Sequence, residues 1–357
     1  MNNPYQTLPD TAFWSRAVTA LPPEAVNPAI SAPFSILPTD AVMTAGSCFA
    51  QYIGPMLRAI GFNFLLTEAA HPLFTATDAQ AFNYGVFTAR YGNIYTARQL
   101  LQLFHRAYGN FHPEEDVWAG EGAWVDPFRP QIQPGGFLSY REYQLDRTRH
   151  FAALRRAFES VGVFVFTLGL TEAWVSRIDG AVYPLCPGVS GGVFDPARHA
   201  FHNFTVSETV ADMTDFIDAL RQKNPQARII VTVSPVPLAA TARADTHVLP
   251  ATIYSKSVLR VAAEMLTQAR PGVAYFPAYE IITGRYDAGT YFAGDRRSVS
   301  PPGVAQVMRA FAGCYAGIQG TPSPATPPEG PGHMQRVEAL MRVHCDEVAL
   351  DQGANAN

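Results

Sequence analysis

The chain has 357 residues, 48% hydrophobic and 16% charged, with a formal net charge of −4. That balance allows a large core, excludes wholesale disorder and gives no reason to expect nucleic acid or an anionic membrane as a partner. Four scattered cysteines (Cys48, Cys186, Cys314, Cys345) without a CxxC argue against a zinc site and a disulfide scaffold. No apolar run approaches the ~20 residues of a membrane span. Residues 1–5 lack a basic and apolar leader pattern. The expectation is a cytoplasmic protein with reduced thiols.

Residues 1–40 are Pro-rich, with aromatic pegs at Phe13, Trp14 and Phe34. They predict a surface arm with a helical turn or two between Thr11 and Val18. A short apolar strand from Val42 then ends in Gly46-Ser47-Cys48. Phe49, Ile53, Met56, Leu57 and Ile60 follow on one side of a helix that Gly54-Pro55 would kink. Residues 62–66 predict a second strand, and residues 82–95 predict loops and short extended segments. Thr96 is a candidate N-cap for a helix reaching about Tyr108. Residues 109–145 form a long irregular excursion, of the kind that is usually a lid or an insertion. A helix from about Leu145 to Ser160 leads into Val163-Phe164-Val165-Phe166-Thr167-Leu168-Gly169, a run apolar enough for a strand buried on both faces.

Residues 178–205 predict a Gly-rich insertion with small strands. A helix carrying Val206, Val210, Met213, Phe216, Ile217 and Leu220 on one face precedes a buried strand at residues 228–233, stopped by Pro235. Residues 254–269 are helical, residues 273–277 are a last strand, and a helix from Gly303 to about Tyr315 closes the fold. Strands alternating with helices in this way predict an α/β fold with a doubly wound parallel sheet and loop-rich insertions near 109–145 and 178–205. The domain therefore spans residues 41–316. Beyond it lie a Pro-rich linker at 317–333 and an amphipathic helix within 334–357, a candidate surface for docking on the body or for forming a homo-oligomer.

Ligands of open α/β sheets bind at the carboxyl ends of the strands. Those ends carry Gly46-Ser47-Cys48, then Gly169-Leu170-Thr171-Glu172-Ala173-Trp174, then Ser234-Pro235-Val236-Pro237 followed by His247, and last Tyr279 and Glu280 ahead of Asp295-Arg296-Arg297-Ser298. A thiol in the first turn of a helix ionises more readily than a free one, which makes Cys48 a candidate nucleophile; the bland alternative is a buried packing cysteine. His247 is the best-placed base, set against a loop histidine bonded locally. His71 and His202 are weaker, and His105, His112 and His150 are expected at the surface. Glu172 and Glu280 could act as paired acid and base, though helix capping and pairing with Arg296 or Arg297 explain them as simply. Those two arginines are either solvated or bind a substrate phosphate or carboxylate. Trp118, Trp124, Tyr140 and Tyr143 could stack on sugars or pack the excursion against the body.

Gly46-Ser47-Cys48-Phe49-Ala50 resembles the name-giving motif of the GSCFA family, bacterial proteins related to the SGNH (GDSL-like) hydrolases. Tyr91-Gly92-Asn93-Ile94-Tyr95, Gly169-Leu170-Thr171-Glu172-Ala173-Trp174, Val233-Ser234-Pro235-Val236-Pro237, Tyr254-Ser255-Lys256-Ser257 and Tyr275-Phe276-Pro277-Ala278-Tyr279-Glu280 resemble its later blocks, in order, over about residues 40–315. The resemblance implies an SGNH-like, flavodoxin-like three-layer fold and acyl-ester chemistry. It implies Cys48 at the nucleophile position, with the Cys48 amide, the amide of Gly85 or Gly92 (Gly92 being preferred for its tighter motif) and the Thr171 hydroxyl as oxyanion donors. Ser47, Asn93, Glu172 and Ser234 are substrate-binding candidates beside them. In the last block Asp295 fits, but Ser298 stands where that superfamily has its His, so His247 is the substitute base, oriented by Asp295. The expected activity is that of an esterase or O-acyltransferase on a carbohydrate or polysaccharide precursor, with no required cofactor or metal and acyl-CoA as a candidate donor for transfer. A non-catalytic carbohydrate- or nucleotide-binding protein on the same fold is the competing reading.

Overall fold

The computed structural model describes residues 3–120, 122–317, 346, 347, 349 and 350. Most of the expected Pro-rich linker and C-terminal helix therefore lies outside the described residues. The arm at residues 3–40 is a series of short helical turns, the longest over Ser15–Thr19, and it anchors through buried Val26, Ala29 and Ile36. Strand β1 (Val42–Gly46) is completely buried, and a 3₁₀ turn over Cys48–Tyr52 leads into α1 (Ile53–Ala59). The predicted kink is this change of helix type, one residue ahead of Gly54. A Cβ at Gly54 would meet the Phe64 ring at 2.8 Å, so glycine lets α1 lie flat on that ring. The strand expected at 62–66 is reduced to a single parallel bridge between Val42 and Phe64.

Helices α2 (Ala76–Ala81) and α3 (Ala97–Ala107) follow, and Thr96 caps α3 through a reciprocal capping box with Gln99. The excursion contains only β2 (Trp118–Ala119) and β3 (Trp124–Val125), an antiparallel pair. Helix α4 (Tyr140–Ser160) starts five residues earlier than expected, capped by the Ser139 hydroxyl. Beyond β4 (Val163–Leu168) the chain forms β5 (Glu172–Ser176), β6 (Val182–Tyr183) and β7 (His199–Asn203), which make a separate antiparallel sheet of order β6-β5-β7. The remaining elements are α5 (Val206–Lys223), β8 (Arg228–Val233), α6 (Val248–Ala269), β9 (Val273–Phe276), α7 (Ala278–Thr283) and α8 (Pro301–Tyr315).

Strands β1, β4, β8 and β9 form one four-stranded, wholly parallel sheet in the order β1-β4-β8-β9. The architecture is mixed α/β with parallel and antiparallel sheets kept apart, a coarser arrangement than the single doubly wound sheet expected. In β4, Phe164, Phe166 and Leu168 face a core shared with α3, α4, α5 and α6, while Val163 and Val165 face a second core with α1, α7 and α8. Period-two alternation thus divides one apolar run between two helical layers, which explains why the run shows no polar face.

Parallel pairing of β1 with β4 brings the backbones very close at Gly46, whose φ is +135°. A Cβ there would sit 2.3 Å from the Thr167 carbonyl oxygen. Gly46→Ala adds both a forbidden conformation and a backbone clash, so it should cost roughly 3 kcal/mol or more of stability, measurable by urea unfolding.

The excursion is held to the body by charge. Arg90 pairs with Asp146 at 2.6 Å, and Arg129 bridges Asp126 and Asp146 at 2.8 Å each, all at or near full burial. His150 is buried in the same region and meets Glu68 at 2.7 Å, which corrects the expectation of a surface residue; burial and Arg129 push its pKa down. Burial alone would raise the Glu68 pKa, but His150, Arg129 and the Arg90 amide outweigh it and bring the carboxyl to about 2. A carboxyl depressed in this way stabilises the fold above its ordinary pKa and loses that contribution as pH falls toward 2. Glu68→Gln should therefore cost about 2 kcal/mol at pH 7, with the gap to the parent closing below about pH 4.5 in a urea series.

Candidate active site

The carboxyl edge of the parallel sheet is closed by the segment Tyr91-Gly92-Asn93-Ile94-Tyr95. The Ile94 amide donates to the Gly46 carbonyl at 2.8 Å, and the Tyr95 carbonyl accepts the Gly169 and Leu170 amides at 3.0 and 3.2 Å. The Ser47 amide donates to the Thr167 carbonyl at 3.1 Å, so the turn after β1 and the end of β4 are tied together. A Cβ at Gly169 would lie 3.0 Å from the Tyr95 oxygen and 3.1 Å from the Ser47 Cβ, so glycine lets these three segments meet without crowding. Helix α6 joins from the side. Its Ser255 hydroxyl accepts the Thr171 amide at 3.0 Å, and Lys256 Nζ donates to the Gly169 carbonyl at 2.6 Å.

Cys48 is buried at the start of its 3₁₀ turn. Its sulfur is disulfide-bonded, with the partner outside the described residues, while Cys186 and Cys314 are free. The expectation of uniformly reduced thiols is corrected at this residue. Ser47 beside it is buried, and its hydroxyl has no hydrogen-bond partner among the described residues. Gly92 stands at φ +66° with open space where a Cβ would sit. Asn93 Oδ1 accepts Gln51 Nε2 at 3.0 Å. The Thr171 hydroxyl donates to Asn203 Oδ1 at 2.6 Å, so its proton is already engaged. The Ser234 amide donates to the Leu168 carbonyl at 2.8 Å, and its hydroxyl accepts the Val236 amide at 3.3 Å.

The proposed base sits elsewhere. His247 is exposed and caps α6, its Nδ1 accepting the Leu249 amide at 3.1 Å, with no hydrogen bond to Cys48 or Asp295. Asp295 is spent on its own turn: it accepts the Ser298 hydroxyl at 2.6 Å and the Arg297 and Ser298 amides at 2.9 Å each. His71 Nδ1 accepts the Leu73 amide, and His202 pairs with Glu208. Glu172 and Glu280 take separate partners, Thr241 for Glu172 and Arg260 for Glu280, so neither pairs with Arg296 or Arg297. Burial raises the pKa of Glu172, which lines a cleft of about 210 Å³ with Leu170, Trp174, Thr241 and Glu347. Trp118 and Tyr143 are core residues, whereas Trp124 and Tyr140 are exposed.

The site contains groups to which residue patterns assigned no role. Lys256 is fully enclosed, and burial pushes its pKa down to about 7 against the pull of Glu347. A signal for it existed: Lys256 lies one turn from Leu259 and two from Ala263, on the buried face of α6. Asp346 and Glu347 arrive from the far end of the chain and are buried among these groups. Asp346 Oδ2 accepts Asn93 Nδ2 at 3.0 Å and lies 3.4 Å from the Tyr95 hydroxyl, which itself accepts the Asp346 amide at 3.1 Å. Glu347 Oε2 accepts Arg297 Nη2 at 2.6 Å. Burial raises both carboxyl pKa values, that of Asp346 to about 6. No periodicity marks these two acids.

The GSCFA family model matches residues 41–311, which takes in the parallel sheet and every strand end described above. The chain belongs to the GSCFA family. No curated protein matches it. In this GSCFA protein the name-giving residues occupy the turn after β1, and Gly46 is the position where the close strand approach admits no side chain. Among the described residues no group of three or more His, Cys, Asp or Glu is arranged to hold a metal ion, and no helix is long and apolar enough to cross a membrane.

Among the described residues Arg297 makes the ion pair with Glu347, and Lys256 adds a weaker electrostatic pull. Arg297→Met leaves a buried carboxylate without its ion pair, a change that typically costs 3–5 kcal/mol. Undocking of residues 346 and 347 is the expected relief. Hydrogen exchange should show the Asp346 amide losing protection by an order of magnitude or more while β4 and β8 keep theirs.

Proposed function

We propose that this GSCFA protein is an acyl-ester enzyme on an SGNH-like scaffold, an esterase or O-acyltransferase acting on a carbohydrate or polysaccharide precursor, with Cys48 as nucleophile. The observation that carries the reading is the meeting of the Ser47-Cys48 turn, the Tyr95 carbonyl and the buried amine of Lys256 around Gly169, at the edge where α/β sheets bind ligands. With His247 committed to capping α6 and Asp295 to its own turn, we assign proton transfer to Lys256, whose pKa near 7 suits a group that must both accept and return a proton.

The resting disulfide first exchanges with a low-molecular-weight thiol, which supplies the two electrons and releases the Cys48 thiol. Lys256 takes the thiol proton, and the thiolate attacks the ester carbonyl. The C–S bond forms as the C–O bond to the alcohol breaks, and the alkoxide leaves with the proton from Lys256. Water or a sugar hydroxyl then displaces the thiolate, giving hydrolysis or transfer; acyl-CoA is the thioester donor in the second case. Backbone N–H groups at the Cys48 turn and Gly92 are the oxyanion donors in this reading.

The disulfide on Cys48 favours a second reading, in which the same pocket binds a glycan or nucleotide and no longer turns it over. The two differ in one measurement. After reduction, incubation with p-nitrophenyl acetate should add an acetyl group to Cys48 by mass spectrometry. Cys48→Ala should abolish ester turnover, and Lys256→Met should lower it by a factor on the order of 10²–10⁴. Absence of label on Cys48 sinks the acyl-enzyme route.

A further inference from the structure

The two buried acids need an explanation that packing does not supply. Burying a carboxylate is costly unless it is paired, and here adjacent residues each place one inside the strand-end site. Asp346 is 6% and Glu347 7% exposed. Their partners come from three separate places: Asn93 and Tyr95 from the segment across the sheet edge, Arg297 from the loop before α8, and Lys256 from α6. Arg297 has capacity left over, since its Nε is buried without a partner among the described residues. Each of these donors belongs to the segment matched by the family model, whereas the acids lie outside it.

We propose that Asn93, Tyr95, Arg297 and Lys256 form a recognition site for a ligand bearing two carboxylates, and that Asp346 and Glu347 are an internal occupant that must leave before such a ligand enters. Arg297 offers a planar fork suited to a carboxylate, Asn93 and Tyr95 add directional donors, and the buried Lys256 amine adds a donor that an incoming carboxylate, like Glu347, favours in its charged form. Asp295 bonds only the Arg297 amide, and among the described residues the side-chain donors of these four residues bond no carboxylate but those of the pair, so a departing pair leaves the Arg297 guanidinium without its carboxylate. This inference concerns binding alone and does not need the Cys48 chemistry.

The test is calorimetric titration of the full-length chain, kept reduced with dithiothreitol, using the capped dipeptide N-acetyl-Asp-Glu-amide as probe. The parent should bind it weakly or not at all, because the internal pair competes at very high local concentration. Asp346→Ser/Glu347→Ser should bind it at least ~10-fold more tightly. Adding Arg297→Met to that variant should weaken binding by ~10-fold or more, and the neutral probe N-acetyl-Asn-Gln-amide should not bind. Circular dichroism checks folding, and the single variant Glu347→Ser replaces the double one if the latter does not fold. Equal affinity in the parent and the serine variant, no binding to either, or indifference to Arg297→Met overturns the proposal. Loss of acyl-Cys48 labelling with peptide binding intact would overturn the catalytic reading and leave this one standing.

Discussion

The close backbone approach between Gly46 and the Thr167 carbonyl is the constraint on which the site depends. It brings β1 against β4 with no room for a side chain, and it turns the Ser47 and Cys48 positions across the end of β4. The segment from Tyr91 to Tyr95 then fits over both strand ends by pairing with Gly46 on one side and with Gly169 and Leu170 on the other. Gly46, which admits no Cβ, and Gly169, where one would be crowded, therefore set where the Ser47-Cys48 turn, the Tyr91–Tyr95 segment and the buried amine of Lys256 converge. A fully buried parallel sheet has no other place to present chemistry, because its faces are covered by two helical cores.

Charge is distributed unevenly around this apolar frame. One buried network, with Arg90, Arg129, Asp126 and Asp146, carries equal numbers of cations and anions and pins the excursion to α4. The second, around Lys256 and Arg297, is balanced chiefly by Asp346 and Glu347 among the described residues. The first network is structural by its composition, since each of its charges has a partner within the network. The second couples the strand-end site to a distant part of the chain, and the cost of its burial appears in the raised carboxyl pKa values of the two acids.

The strands were legible where a continuous apolar, β-branched or aromatic run coincided with full burial, as in β4 and β8, and α3 was legible from the Thr96 and Gln99 capping signal. Residues 62–66 read as a strand for the same reason, yet they make a single bridge, because an apolar run specifies burial and not pairing. Glu172 read as part of a loop after β4, but it opens an antiparallel strand whose partners lie up to 31 residues further on, at Asn203. His247 was legible as a residue at the right edge of the sheet. Its use as a helix cap depends on α6 starting at Val248, six residues earlier than its apolar pattern suggests.

Local sequence determined the order of strands and helices, the turn at Gly46-Ser47-Cys48 and membership in the GSCFA family, because periodicity, capping and motif spacing are all properties of neighbouring residues. Tertiary structure alone decided how the site is filled. It placed Lys256 beneath Gly169, paired the partly buried Arg297 with Glu347, put Cys48 in a disulfide and brought Asp346 and Glu347 into the pocket from about 250 residues away. Those contacts depend on long-range electrostatics and on burial, and neither leaves a periodic trace in the chain.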